Sequence, residues 1–550
     1  MSKLVSLSIA VAMLCISLPA PAARADLLVK VSTHLIDVPA NSSGTGGTIK
    51  LAATVYQPRL LPFAPAVIYI HGWGGRRLTD SNNLAHTIAA AGYAVISYTA
   101  RGFGEGESGG RVGLAGPNEL SDLGAVIDWL KDDPQGVIDA RIGKIGVIGG
   151  SYGGAHSFEI ATDPRVSAVV PMVGWTDLQQ ALYPNGAINY RYGLGHFYSG
   201  LEFTNGGPPF FNYDRLMFDM FDAGAEGHMP DQKVLDALAA RSIATMDADG
   251  RLKLKQSRRP QVPTFIIQSW DDYIFPAQQA LDIYSEITAD KQLYLGRTGH
   301  PPGGNSYDGE EVYVATQVLR WFNRYLVGIG GKESKTITSA PSQFSGNLFT
   351  GNDLTNVEPF SIYLKPKGVM SKKRKSKDRF ETLGGIFRPQ QIRSSRAGAE
   401  VPSKADMFSG TVEAVEPLPK ALVYTFAPWQ SRTELLGLSE FDLHVSSPTS
   451  STFDVAVRTF DVAPDGTETE ISVGVMRVKD VRPGEVRRVR FRDFGDHWVF
   501  REGHSLRLKL TNIDFPDFRP PGVNDNRASQ VTVHYGRVFP SSLKIPIKRN

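Results

Sequence analysis

Cysteine is all but missing from this chain: the 550 residues contain one, Cys15. Without the first twenty-five residues the chain could form no disulfide and would offer no thiolate metal site. No leucine stands three residues ahead of Cys15, which argues against a lipid-anchored start. A dominant charge of one sign is missing too, with 59 Lys and Arg against 56 Asp and Glu, a formal net charge of +3. So even a balance gives no electrostatic case for a nucleic-acid partner. After Leu4–Leu18 there is no apolar run long enough to span a bilayer, so no membrane insertion of the mature chain is expected. No HExxH, CxxC, P-loop or EF-hand pattern occurs, and neither a cofactor nor a metal is expected.

The one apolar run reads as part of a secretory signal peptide, residues 1–25. Lys3 supplies the positive start, Leu4–Leu18 the apolar stretch, and Ala23-Arg24-Ala25 a small-x-small site before Asp26. The expectation is cleavage between Ala25 and Asp26 and a secreted or periplasmic product. Loss of Lys3 and Arg24, with no acid, takes the formal charge from +3 to +1.

Glycine, by contrast, is plentiful, and Gly149-Gly150-Ser151-Tyr152-Gly153 is the most informative use of it. The apolar run Lys144–Ile148 precedes it and a helical stretch from Ala155 follows. Strand, G-x-S-x-G, helix is the setting of a nucleophile elbow, in which a tight turn lifts the serine into the open. Around it, short apolar strands alternate with helices. Strands are expected at Leu27–Asp37, Thr48–Tyr56, Pro65–His71, Tyr93–Thr99, Val166–Val173, Pro263–Gln268 and Gln292–Leu295. Helices are expected at Asn83–Ala91, Glu119–Lys131, Pro276–Ile287 and Glu310–Val327. That alternation predicts a mostly parallel sheet covered on both faces, over residues 26–330. It breaks at about 175–259, an aromatic-rich insertion (Tyr183, Tyr190, Tyr192, Phe197, Tyr198, Phe203, Phe210, Phe211, Tyr213 and Phe218) placed where a cap over a site belongs. From 331 to 550 helical periodicity disappears. Short alternating strands such as Phe360–Leu364, Glu440–Ser446, Phe453–Asp461, Ile471–Val478 and Ser505–Asn512 predict an all-β jelly roll or sandwich. Lys372–Lys377 is a basic run read as a solvated loop.

A serine hydroxyl needs a base to take its proton and an acid to orient that base. In the α/β-hydrolase order, serine is followed by Asp or Glu and then by His. The loop after Phe265–Gln268 carries Asp271 and Asp272. Asp272 is favoured because Pro276 follows it by four residues, and Asp271 is the alternative. His300 ends the loop after Leu293–Leu295 and is the expected base, with His71 its competitor. The expected oxyanion donors are the backbone N–H groups of Tyr152 and of Trp73 in His71-Gly72-Trp73-Gly74-Gly75.

These motifs, with Arg101-Gly102-Phe103-Gly104, Trp270-Asp271-Asp272, Gly299-His300 and the helix end Tyr325-Leu326-Val327-Gly328, resemble the X-prolyl dipeptidyl peptidase and cocaine esterase group of serine hydrolases. Asp461–Gly466, Gly503–Leu508 and Phe515-Pro516 are similar to that group's C-terminal landmarks. The resemblance implies an α/β-hydrolase domain with a cap and a C-terminal jelly roll (galactose-binding-like), and cleavage of amides or esters through an acyl-enzyme. One departure stands out: many members place a tyrosine where this chain has His71–Gly75. The expected substrate is a small peptide or ester, and an acyl esterase or amidase is the alternative. An exported binding protein built on an inert hydrolase scaffold is the non-enzyme alternative. A peptidase of this kind must anchor a free amine, for which the cap offers Asp177, Glu202, Asp214, Asp219 and Asp222. The oligomeric state is not legible in the sequence.

Overall fold

The computed structural model describes residues 28–548, apart from 62, 81–82, 133–140, 200–212, 301–308, 332–336, 342–348, 352–355, 375–378, 387–420, 515–516 and 522–527. The expected signal peptide, the cap residues Glu202, Phe203, Phe210 and Phe211, the motif Phe515-Pro516, and Lys375–Lys377 lie outside the described residues.

A ten-stranded sheet organises the first part of the chain. In chain order its strands are β1 Val29–Pro39, β2 Thr48–Pro58, β3 Phe63–Ile70, β4 Ala94–Tyr98, β5 Arg141–Gly150 and β6 Ala168–Met172. The cap follows with β7 Ile188–Asn189, β8 Ala244–Met246 and β9 Leu252–Leu254, which lie outside this sheet. The sheet resumes with β10 Thr264–Ser269, β11 Lys291–Gly296, β12 Ile337–Ser339 and β13 Phe349–Gly351. Spatially the order is β1-β2-β4-β3-β5-β6-β10-β11-β12-β13. The run from β4 to β12 is parallel; β1, β2 and β13 pair antiparallel at the edges. The central strands are apolar on both sides because helices cover both faces. Among these are α1 Leu84–Ala90, capped by Asn83, and α2 Pro117–Asp132, which buries Leu123, Val126, Ile127 and Leu130 at helical spacing. The helix that follows Ser151, α3, runs from Tyr152 to Glu159. The sheet continues past the boundary expected at 330, since β12 and β13 add to its edge. Those three-residue strands are too short to carry a periodic signal.

The cap contributes α4 Leu178–Leu182, α5 Gly195–Ser199, α6 Arg215–Glu226, α7 Gln232–Ala240 and the β8–β9 hairpin. Tyr183, Phe197 and Tyr213 belong to the same buried cluster as Leu123 and Val147, so these cap aromatics serve as core. Beyond the cap, α8 Gln278–Tyr284 and α9 Glu310–Phe322 complete the hydrolase-like unit.

The rest of the chain is an all-β unit around a thirteen-stranded, largely antiparallel sheet. It contains strands that the sequence pattern did not reveal, among them Thr433–Gly437 and Asp496–Phe500, which pair with each other. This unit is joined to the cap by a two-residue ladder, Ile188–Asn189 against Phe518–Arg519. It is joined to α8 by the ion pair between Arg492 and Asp282, both nearly buried.

Candidate active site

Ser151 is lifted out by the junction of β5 and α3. Ser151 has φ 57° and ψ −116°, a conformation that a non-glycine residue holds only when its surroundings enforce it. The enforcement is steric and directional. A Cβ on Gly153 would lie 2.2 Å from the Ile70 carbonyl oxygen, and one on Gly154 2.4 Å from that of Met172. Both positions therefore require glycine for α3 to lie against β3 and β6. The Ser151 N–H donates to the Met172 carbonyl at 2.9 Å, which pins the turn.

His300 reaches the serine from the loop after β11. Its Nε2 is 2.8 Å from Ser151 Oγ, and its Nδ1 is 2.8 Å from Asp272 Oδ2. A carboxylate only accepts, so Nδ1–H donates to Asp272 and the Nε2 lone pair faces the serine hydroxyl. Asp272 is fully buried, and its Oδ1 accepts the N–H groups of Ile274 and Phe275 at 2.9 Å each. Phe275 and His196 flank the His300 ring at centroid separations of 5.1 and 5.2 Å, both edge-on. His196 comes from α5 of the cap; burial lowers its pKa to about 4, so near neutral pH it adds no charge beside His300.

The alternative acid, Asp271, faces elsewhere and pairs with Arg297 at 2.5 Å. The alternative base, His71, is buried, and its two nitrogens are already engaged. Nε2 accepts the Ala100 N–H at 2.9 Å, so the proton is on Nδ1, which donates to the Gly72 carbonyl at 2.7 Å. Desolvation lowers its pKa to about 4, holding it neutral.

That same Gly72 carbonyl also accepts the Gly75 N–H at 3.0 Å. In a trans peptide the carbonyl and the next N–H point opposite ways, so drawing the Gly72 oxygen toward His71 turns the Trp73 N–H away from it. Gly72 lies beside Ser151, since a Cβ on it would be 3.6 Å from that of Ser151. The Trp73 indole donates to the Phe197 carbonyl at 2.7 Å, and its ring meets Tyr152, Phe103 and Phe197 edge-on. Tyr152 is the first residue of α3, where a backbone N–H has no intrahelical acceptor.

Of the cap carboxylates, three already have duties. Asp177 caps α4 through the Gln180 N–H, Asp214 caps α6, and Asp219 pairs with Arg215 at 2.8 Å. Among the described residues, no group of three or more His, Cys, Asp or Glu is placed to hold a metal ion, and no helix is long and apolar enough to cross a membrane. The contributions of His196 and Phe275 were not read from the sequence. Nothing in the cap's composition aims one histidine among many aromatic residues.

Comparison with known proteins agrees with this architecture. Residues 46–302 match the family model described as X-Pro dipeptidyl-peptidase (S15 family), and residues 389–544 match that of the X-Pro dipeptidyl-peptidase C-terminal non-catalytic domain. Among solved structures, an aminopeptidase from a marine-sediment Thaumarchaeota archaeon superposes with a TM-score of 0.69 at 17% identity, covering 97% of this chain and 98% of that one. An α-amino acid ester hydrolase superposes with a TM-score of 0.67 at 17% identity, covering 94% and 96%. An uncharacterized 31.7 kDa protein of Escherichia coli is 26% identical over 275 residues, 48% of this chain and 91% of its own length.

Proposed function

The chain belongs to the S15 family of X-Pro dipeptidyl-peptidase-like hydrolases, and from that premise we propose that Ser151, His300 and Asp272 form its catalytic triad and cleave amide or ester bonds through an acyl-enzyme. The observation that carries this is the continuous relay of two 2.8 Å hydrogen bonds from Ser151 through His300 to Asp272. His300 Nε2 takes the serine proton as Oγ attacks the substrate carbonyl. The Tyr152 and Trp73 N–H groups receive the oxyanion, each worth on the order of 3–4 kcal/mol in the transition state. His300 then hands its proton to the leaving amine or alcohol. Water, activated by the same base, releases the acyl group. Asp272 keeps Nδ1 protonated and stabilises the imidazolium while it lasts. The reading extends to export: the start of the chain supports cleavage before Asp26 and a secreted or periplasmic enzyme.

Two substrate classes fit this chemistry, and both occur among the similar structures, an aminopeptidase and an ester hydrolase. Peptidase action of the X-Pro type follows the family. A second reading, an acyl esterase, is favoured by the engagement of Asp177, Asp214 and Asp219 as caps or in an ion pair, which gives each of the three a local structural duty. The test is hydrolysis of Ala-Pro-p-nitroanilide and of p-nitrophenyl butyrate by the mature protein, with Ser151→Ala as control and a fluorophosphonate as covalent label. Hydrolysis and labelling are expected to depend on Ser151, with activity falling at least about a thousandfold in the alanine variant. Efficient cleavage of the anilide means a dipeptidyl peptidase; turnover of the ester alone means an esterase. Labelling that persists in Ser151→Ala would sink the assignment, and an unlabelled wild-type protein would mean an inert scaffold.

A further inference from the structure

Asp272 lies in the loop that follows β10, and three of its neighbours there are tied, each by a separate route, to the C-terminal β unit. The Trp270 indole N–H donates to Ser339 Oγ at 3.0 Å. Ser339 Oγ is 2.9 Å from His497 Nδ1, and His497 Nε2 is 2.8 Å from Glu434 Oε1. Because the carboxylate only accepts, the hydrogens run one way, from indole to hydroxyl to imidazole to carboxylate, and each site in the relay is satisfied. Asp271 pairs with Arg297 at 2.5 Å, and the other arm of that guanidinium holds the Asp496 carboxylate and the His497 carbonyl, the latter at 3.1 Å. The Tyr273 hydroxyl donates to Glu470 at 3.2 Å. Glu434, Glu470, Asp496 and His497 all belong to the thirteen-stranded unit.

Arg297 is central to this arrangement. It lies three residues before His300 on the base's own loop, is 2% exposed, and bridges that loop to both the acid loop and the neighbouring unit. Only a planar fork can serve two carboxylates and a carbonyl in this way; a lysine would supply the charge without the geometry. Burying so many charges is not an efficient source of stability, because desolvation offsets much of the attraction. What the arrangement does provide is a fixed separation between two loops whose tips must meet at 2.8 Å, where an error of about 1 Å costs on the order of a hundredfold in rate.

We propose that Arg297 is a positioning residue of the reaction, and that the C-terminal unit, through Asp496, the His497 carbonyl, the Glu434 relay and Glu470, sets the acid loop against the base loop. The inference rests on the reading of Ser151, His300 and Asp272 as the reacting groups. It gives a unit that resembles a non-catalytic domain a defined part in the chemical step.

The experiment measures the rate constant and the final extent of fluorophosphonate labelling, with kcat and KM for the better ester or anilide substrate, on the full mature chain. Arg297→Gln is expected to lower kcat and the labelling rate constant at least about tenfold, with KM changed less than about twofold and labelling complete. Asp496→Asn, on the far side of the interface, is expected to lower the same two constants about three- to tenfold, and Arg297→Lys to fall between wild type and Arg297→Gln. Tyr273→Phe removes one hydroxyl without changing shape and is expected to cost about two- to threefold. A role confined to stability would reduce the fraction labelled and leave the rate constant of that fraction unchanged. Wild-type rate constants in Asp496→Asn and in every Arg297 variant that folds would overturn the proposal. Should the Arg297 variants fail to fold, Asp496→Asn and Tyr273→Phe decide it. Failure of the wild-type protein to label at all is a different result and would strike the triad instead.

Discussion

Asp271 and Asp272 are neighbours of the same chemical type, and their environments separate them. Asp272 is fully buried, receives two backbone N–H groups and meets His300, whereas Asp271 meets Arg297. Asp272→Asn is therefore expected to lower kcat by about four orders of magnitude, because an amide at that position no longer holds the imidazole in its working tautomer. Asp271→Asn keeps the relay and is expected to cost no more than about tenfold, through loosening of the Arg297 contact. Side-by-side kinetics of the two variants check this, and equal losses would contradict the assignment. The spacing to Pro276 pointed to Asp272 but left Asp271 open. The choice was made by an arginine 26 residues further along the chain, a distance at which local pattern is silent. His71 shows the same point: its place in a His-Gly-Trp-Gly-Gly loop made it a competitor for the base, and contacts to Ala100 and Gly72 make it a neutral strut of that loop.

At the scale of elements, the strand-turn-helix around Ser151 was readable because it is local. An apolar strand, a turn that only small residues permit and a helix succeed one another within about twenty residues. What the sequence could not state is how closely the helix packs. Gly154→Ala would bring a methyl to 2.4 Å from the Met172 carbonyl and within 3.0 Å of Gly174, with backbone on both sides and no flexible side chain to yield. The expected cost is about 3 kcal/mol or more, checked by the shift of the urea midpoint, with lower activity per folded molecule because Ser151 moves with the helix. A variant as stable as wild type would show that α3 has room to retreat. Other elements were less legible. The edge strands β12 and β13, and the pair Thr433–Gly437 and Asp496–Phe500, are three to five residues long. Three residues are too few to alternate, and Thr433–Gly437 and Asp496–Phe500 are buried almost continuously and do not alternate polar with apolar. The second pair nonetheless carries Glu434, Asp496 and His497 to the interface.

At the scale of the whole molecule, buried titratable groups tie stability to pH. Burial lowers the pKa of His71 and His196 to about 4 and that of His156 to about 3. Between those values and about 6.5 the unfolded chain binds the protons that the folded one refuses, so these three histidines contribute stability that grows as pH climbs to 6.5, against the opposite contribution of the buried acids. Burial raises Glu159 to about 8 and Asp493 to about 7. Above 6.5 the histidines are neutral in both states, while these acids keep protons that the unfolded chain has released. Stability should then fall as pH rises from about 6.5 to 8. Glu159→Gln is expected to flatten that decline and to raise the melting temperature at pH 8, measured by calorimetry from pH 5 to 8; an unchanged slope would contradict it. The sequence by itself determined the alternation that builds a parallel sheet, the change of texture that follows it, and the order of serine, acid and histidine, because each of these is written in neighbouring residues. Only the tertiary structure decided which aspartate faces the histidine, that His71 is a strut, that His196 flanks His300, and that the C-terminal unit grips the loop around Asp272. Those outcomes depend on contacts between residues far apart in the chain, and on burial, which exists only once the chain has closed around them.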